Sequence, residues 1–394
     1  VQLIDLQSGK TVATLARKNP QIPYGNDVIS RIEYTMVHKK ETRYTTSAER
    51  TQRLQTLQKA VIEVINESMK ELEAERGEQI RQYVYDIVIV GNSTMRNIFL
   101  GIDVSSLGVT PYEPKKKGPV LKKAKELGLQ SNPQANVYAA PLIGGHAGAD
   151  ALADIISTEI YKRKKPSMTV DIGTNGEVMI GNCDRILTAS CAAGGAYEGA
   201  TITSGVGAIE GAITNVQISD GKVRYETIGN KPPVGICGSG LIDLLAELLN
   251  HGIMSKTAKL PAEFSITDGI NFSQQDIYQL ITAKAGLRTD QDLLIKYYGT
   301  TLEQMDKIYL AGAFGNYINA ENAVTIGLLP NAPEKVVKVG NGALEGARQM
   351  LLSREKRKDA ELILKKIEHV KPNEREKDFA YLVAERMYFV NPSS

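Results

Sequence analysis

The sequence predicts an α/β protein made of two similar domains, and three observations point there. The chain has 394 residues, more than one hydrophobic core usually spans. Strand-like runs that end in glycine-containing turns and lead into helices occur in both halves. Tyr85 to Val90 runs into Gly91-Asn92-Ser93-Thr94, and Lys307 to Ala311 runs into Gly312-Ala313-Phe314-Gly315. In each half a second strand-like run then meets a glycine-rich helix start, with Gly144 and Gly148 four apart in one and Gly342 and Gly346 four apart in the other. Residues four apart share a helix face, and without side chains there two helix backbones can cross closely. This repeat favours a two-lobed architecture over one continuous sheet. The first lobe is placed at residues 1–165 and the second, with C-terminal helices, at 166–394, divided at the charged segment Tyr161 to Ser167.

Taken in order, Val1 to Leu6 and Thr11 to Leu15 flank the turn Gln7-Ser8-Gly9-Lys10 and read as a hairpin. Residues 48–76 carry Leu54, Leu57, Val61, Val64, Ile65, Met69 and Leu72 at helical spacing, which predicts a long amphipathic helix. Tyr85 to Val90 reads as a buried strand, followed by a helix from Met95 to Leu100. Val137 to Leu142 is strand-like and leads through Gly144 to Asp150 into a helix ending at Ile160. In the second lobe, strand Met168 to Ile172 turns through glycines into a returning strand, Glu177 to Gly181. Residues 186–213 are crowded with small side chains, and Gly235 to Gly240 opens a helix from Leu241 to Asn250. Lys335 to Val339 is the last strand, followed by a helix to Leu352.

Composition bounds the function. Hydrophobic residues are 42% and charged residues 23%, ordinary values for a soluble globular chain. A net charge of +2 does not suggest a nucleic-acid binder. The basic runs Lys115 to Lys117 and Arg163 to Lys165 lie beside Pro or Gly and read as solvated loops. No stretch approaches about 18 uninterrupted apolar residues, so no membrane span is expected. The lack of a signal-peptide pattern favours the cytoplasm. Cys183, Cys191 and Cys237 include no CxxC pair and read as small buried thiols.

The candidate chemistry centres on Val170 to Glu177. Asp171 ends a strand, and Gly173-Thr174-Asn175-Gly176 make a turn that lets the backbone approach a phosphate. Thr174 and Asn175 would offer donors to phosphate oxygens, and Asp171 would hold Mg²⁺ through water. An ordinary hairpin is the plain alternative, and the duplication favours the functional reading. Gly312, Ala313 and Phe314 would let an adenosine approach the backbone. Gly238 lies in Gly235-Ile236-Cys237-Gly238-Ser239-Gly240, whose spacing is not a dinucleotide fingerprint but whose helix start suits an anionic ligand. There is no GxxxxGK[ST] phosphate loop. His146 reads as a helix-start histidine, and Asp150, one turn on, is a candidate for orienting an attacking water.

Asp171 to Glu177 resembles the second phosphate loop of the actin-like, ribonuclease-H-like ASKHA superfamily, and Leu310 to Gly315 resembles its adenosine loop. The helices at 144–160 and 340–352 resemble its connecting helices. More narrowly, the chain resembles the reductive activators of corrinoid enzymes. The matching segments are Asn19 to Ile32, Gly91 to Asp103, Pro141 to Asp150, Val170 to Ile180, Ala192 to Gly199 with Gly194 and Gly195, Gly235 to Asp243, Leu310 to Asn319 and Ile326 to Pro330.

The resemblance implies a function. Such proteins use ATP and Mg²⁺ to drive a low-potential electron onto a Co(II) corrinoid protein, restoring Co(I) in methyltransferase and O-demethylase systems of anaerobic metabolism. The electron comes from an external donor through an N-terminal [2Fe–2S] domain. That domain and the first phosphate loop are expected to lie before Val1, because the chain opens directly on a strand without an initiator Met. ATP would favour a closed state by its differential affinity, and hydrolysis would reset it. A homodimer is a further expectation. The rivals are a small-molecule kinase of the same superfamily, an acyl-CoA dehydratase activator whose cluster would use Cys191 and Cys237, and a non-enzymatic assembly module switched by ATP.

Overall fold

The computed structural model describes residues 1–38, 43–173, 175–191, 195–199, 201–312 and 315–389. The chain begins with the antiparallel hairpin β1 (Gln2–Ile4) and β2 (Thr11–Thr14). Helix α1 (Val28–Met36) follows, started by a reciprocal capping box between Asp27 and Ser30. A short pair, β3 (Val37–His38) and β4 (Arg43–Tyr44), leads to α2 (Ser47–Arg76). Thr46 and Glu49 cap α2, and Gly77 ends it in the left-handed conformation that glycine adopts without steric cost. Its apolar stripe is buried at Leu54, Leu57, Ile62, Met69 and Leu72. Then come β5 (Asp86–Ile89), α3 (Ser93–Leu100), β6 (Val120–Lys123), β7 (Asn136–Ala139) and α4 (Ala149–Thr158).

The next stretch carries β8 (Ser167–Ile172), β9 (Gly176–Gly181), β10 (Ile186–Cys191), β11 (Ala212–Ser219), β12 (Lys222–Thr227) and β13 (Gly235–Ile236). Helix α5 (Gly238–Asn250), the hairpin β14 (Phe264–Thr267) and β15 (Ile270–Phe272), and α6 (Gln274–Tyr298) follow. The chain continues through β16 (Ile308–Ala311), α7 (Ala320–Thr325), β17 (Val336–Gly340), α8 (Gly342–Leu352) and α9 (Arg354–Ile363). It ends with β18 (Ile367–His369), α10 (Pro372–Arg375) and α11 (Phe379–Met387).

These elements form two compact units. One holds Val1–Ser157 and Ala343–Lys366, and the other holds Thr158–Gly342 and the chain from Ile367 onward. In the first, a three-stranded sheet has the order β5-β7-β6, with β5 parallel and β6 antiparallel to β7. β5 was expected to be a buried strand, but all four of its residues are only partly buried. The reason is its position at the sheet edge. Its one ladder partner among the described residues is β7, and an apolar groove lined by Leu3, Met69, Ile87 and Ile89 lies between it and β1.

The glycine spacing is used differently from the expectation. Gly346 does bring α8 against α4, since a Cβ there would lie 2.0 Å from the carbonyl oxygen of Ala153. Gly148 does not serve this crossing. Its Cβ would lie 2.4 Å from Cα of Asn92, so it seats the start of α4 on the turn after β5. Gly144 precedes the helix and sits in a turn closed by a Gly144 N–H bond to Ala147 O.

In the second unit a six-stranded sheet has the order β17-β16-β8-β9-β10-β18. β17, β16 and β8 run parallel, while β8, β9 and β10 form an antiparallel meander. β8 sits centrally and is buried on both faces, which explains its run of apolar residues and Thr. A smaller sheet, β12-β11-β13, carries α5 on it. Helix α6 packs across β9 and β10, capped by Ser273 and Asp276. Both sheets and both helices contribute to one large apolar core around Val170, Ile180, Ile213, Leu244 and Leu280.

Candidate functional site

The carboxyl ends of β8, β16 and β17 meet at one end of the six-stranded sheet. Ends of parallel strands are where open α/β sheets characteristically receive ligands. Asp171, next to last in β8, lies opposite Ala311 of β16 and opposite Glu177 of β9. The turn between β8 and β9 is tight, and Gly173 N–H donates to Asn175 O at 3.1 Å. A side chain at Gly173 would meet nothing closer than 3.7 Å, so the backbone there is open to a ligand. Asp171 and Asn175 are both partly exposed.

Gly312 completes this arrangement. Its φ of +119° and its packing both demand glycine, because a Cβ would lie 2.4 Å from Ile172 O and 3.2 Å from Asp171 Oδ1. Gly312 N–H also donates to Gly340 O at 3.0 Å, which joins the ends of β16 and β17. The structure therefore brings together Asp171, Gly173, Asn175 and Gly312 from the predicted set. Thr174, Gly194, Ala313 and Phe314 lie outside the described residues.

Gly195 and Gly238 belong to neighbouring segments of the same unit. Gly195 is left-handed, with φ +67°, and starts the turn Ala196–Glu198. That turn is anchored by buried Tyr197, whose hydroxyl donates to Leu280 O at 3.2 Å. Gly238 is the first residue of α5, whose N-cap Cys237 makes no side-chain capping bond. Two residues on, Gly240 lets the helix start lie on β11, since a Cβ there would be 2.5 Å from Ile213 O. Asp150 belongs to the other unit. Its Oδ1 accepts from Ala151 N at 2.9 Å at the first turn of α4. His146, just before that helix, lies against Tyr112 with the rings tilted by 43° and 5.6 Å between centroids.

Sequence reasoning assigned no role to Glu177. The hairpin register pairs it with Asp171, so the two carboxylates lie side by side on one face of the sheet, with Ser190 next in the row. Like charges directly opposite each other are unfavourable without a further partner. The signal was present in the sequence, since a turn this short fixes the pairing of the residues that flank it. Asp290 was also missed. It lies on α6 beneath the turn, 2% exposed, with Oδ2 making no hydrogen bond. Burial pushes its carboxyl up to about 7. Cys191, opposite Gly176 at the end of β10, is held well above the ordinary thiol range, first by burial and then by Asp290 and Glu177. Cys183, Cys191 and Cys237 are all free thiols. Among the described residues no group of three or more His, Cys, Asp or Glu is arranged to hold a metal ion. None of the described helices is long and apolar enough to cross a membrane.

Comparison with known proteins finds relatives along nearly the whole chain. Residues 165–392 match the family model described as the C-terminal domain of RACo, the ASKHA domain, and residues 1–163 match the RACo middle region. The chain is 33% identical over 383 residues to the corrinoid activation enzyme RamQ of Eubacterium limosum, covering 90% of this chain and 62% of that protein. It is 26% identical over 398 residues to the [Co(II) methylated amine-specific corrinoid protein] reductase of Methanosarcina barkeri, covering 93% of this chain and 70% of that one. A solved reductive activator for corrinoid, iron-sulfur protein superposes with a TM-score of 0.88 at 35% identity, over 98% of this chain and 63% of its own. The chain thus spans under two thirds of the length of the first of these relatives and of the solved activator. With family models matched across nearly its whole length, the chain belongs to the RACo family, of which it carries the middle region and the C-terminal ASKHA domain.

Proposed function

We propose that this chain is the ATP-binding and ATP-hydrolysing part of an activator that returns corrinoid proteins from Co(II) to Co(I). The observation that carries the reading is the meeting of a carboxylate, an open glycine turn and a glycine-only strand end at the carboxyl ends of three parallel strands. The activities named for its relatives supply the corrinoid partner.

The residues fit a magnesium nucleotide. Mg²⁺ is typically held by one or two carboxylates plus phosphate oxygens and keeps several waters. Asp171, with Glu177 beside it, is such a pair. The backbone around Gly173 and the side chain of Asn175 supply donors for phosphate oxygens. Gly312 keeps the end of β16 free of a side chain, so that a nucleoside can lie against the backbone there. Mg²⁺ in such a site supplies charge neutralisation of the phosphates. Asp150 is retained as a candidate for orienting the attacking water.

The reaction has two balanced parts. ATP and water give ADP and phosphate, and one electron from an external low-potential donor reduces Co(II) to Co(I). Nucleotide binding influences the electron transfer only through a difference in affinity between two states of the protein. The test is ATP turnover with and without a Co(II) corrinoid protein, with Co(I) followed by its visible spectrum in the presence of a one-electron reductant. Stimulation of turnover by the corrinoid protein, with Co(I) formed only when ATP is present, is the expected result. Turnover indifferent to the corrinoid protein but raised by a sugar or a carboxylic acid would favour a kinase and refute the proposal.

A further inference from the structure

Asp243 is fully buried in α5, five residues after Gly238, and it joins three elements. Its Oδ1 accepts from Asn322 Nδ2 of α7 at 2.7 Å. Its Oδ2 accepts from Asn215 Nδ2 of β11 at 3.0 Å and from Val216 N at 3.4 Å. β11 belongs to the small sheet, whereas α7 lies on the connection between β16 and β17 of the large one. One carboxylate therefore links the two layers of this unit. It also links the helix that begins at Gly238 to the segment that leaves Gly312 and Gly315.

This link is not the most stable way to fill the space. All three donors to the carboxylate are neutral, and burial raises its pKa to about 6. The like charge of Glu247, on the same helix, adds to this, and Lys338 of β17 acts against it. A buried carboxylate without an ion-pair partner is usually less stable than a well-packed apolar group. What it provides is directional registry, because two amides and a backbone N–H must all point at one group.

We infer that Asp243 is a positioning residue for the nucleotide, holding α5 against β11 and α7 in the register that receives the nucleoside. This rests on the ATP-binding reading above. Losing registry weakens ground-state and transition-state binding alike, which raises KM and leaves kcat in place.

The experiment measures ATP KM, kcat and melting temperature for the wild-type chain, Asp243→Asn, Asn322→Asp and the double variant. Asn322→Asp sets two carboxylates against each other and is expected to raise KM about tenfold with kcat within about twofold, whereas in Asp243→Asn the Asn322 amide can turn over and keep the α5–α7 bond. In the double variant the acceptor sits on α7 and the donor on α5, so the α5–α7 bond reforms and KM returns toward the wild-type value. An unchanged KM in Asn322→Asp, or a double variant no better than Asn322→Asp alone, would overturn the inference. Asn322→Ala, at a half-buried position, removes only the α7 link and keeps the test readable if Asn322→Asp does not fold. It too must raise KM, and an unchanged KM there overturns the inference. A wild-type chain that binds no ATP overturns the proposed function as well, whereas wild-type binding with unaltered variants overturns only the role of Asp243.

Discussion

Replacing Asp290 by Asn should stabilise the protein at alkaline pH and flatten its pH dependence. Asp290 is 2% exposed and one of its oxygens has no hydrogen-bond partner. Burial lifts the carboxyl from 3.8 to about 7. A raised carboxyl pKa means that the folded state binds more protons than the unfolded state between these two values. Stability contributed by this group is therefore greatest below the unfolded pKa and falls as pH rises toward about 7. Each pKa unit is worth about 1.4 kcal/mol, so the ionised carboxylate destabilises the folded state by about 4 kcal/mol above pH 7. Between pH 5 and pH 7 the loss is two units, or about 3 kcal/mol. Asn keeps the shape and does not ionise, although its amide must also be accommodated, so a net gain of about 2 kcal/mol at pH 8 is expected. For a unit of this size that corresponds to a rise of roughly 4–8 °C in melting temperature. Circular dichroism melts at pH 5, 6, 7 and 8 on both proteins test this, reading the transition of the unit that contains α6. The two curves should diverge as pH rises. Parallel curves, or an Asp290→Asn protein that melts lower at pH 8, would refute the argument and mean that the carboxylate is stabilised by a partner.

Lys284 predicts the opposite slope. Burial lowers its ammonium from 10.5 to about 7, so its penalty is complete at acid pH and is relieved as pH rises toward the unfolded value. Lys284→Met should raise the melting temperature at pH 6 by at least about 4 °C, with the advantage shrinking by pH 9. Gly346→Ala should destabilise the first unit by about 2 kcal/mol or more, because its Cβ would lie 2.0 Å from Ala153 O in backbone that has no side chain to move aside. Urea unfolding would register this as a lower midpoint. Asp171→Asn should leave the melting temperature within about 2 °C, since the residue is partly exposed, yet lower ATP turnover by about a hundredfold. Retained turnover would remove Asp171 from the proposed site.

The elements that the sequence made legible are those whose pattern depends on local rules. Helix α2 was readable from its stripe, and the capping box and Gly77 that bound it in the structure are local signals too. β8 and its return strand were readable because a doubly buried strand followed by Gly-Thr-Asn-Gly leaves few alternatives. Helix α6 was missed, although it has 25 residues. Its buried side carries Asp276, Lys284, Thr289, Asp290 and Gln291 among the apolar positions, so the stripe that defines an amphipathic helix is broken by polar residues. β18 was equally hidden, because a three-residue strand is specified by its parallel partner β10 and not by its own composition. The return of residues 343–366 to the first unit depends on contacts such as Arg357 to Asp86, which no local pattern encodes. The catalytic candidates divide in the same way. Asp171 was visible at a strand end, while Glu177 had to be inferred from the pairing that the short turn imposes, a signal in the sequence that was not used.

Buried charges are accommodated in two ways in this chain. Arg96, in the first unit, is 1% exposed but donates to the carbonyls of Ala140, Lys116 and Gly118. It stays charged, with its pKa lowered only to about 10. Its burial is balanced by hydrogen bonds and serves to fix a loop. Lys284 and Asp290, in the second unit, are not balanced in this way. Lys284 has the carbonyls of Met387 and Tyr388 at 3.4 and 3.2 Å and the ring of Phe389, while Asp290 Oδ2 has no partner. Both lie on α6, three residues to either side of Leu287. That leucine packs against Gly176 at the end of the glycine turn. The penalties peak together near neutral pH, because Asp290 is ionised above about 7 and Lys284 is protonated below it.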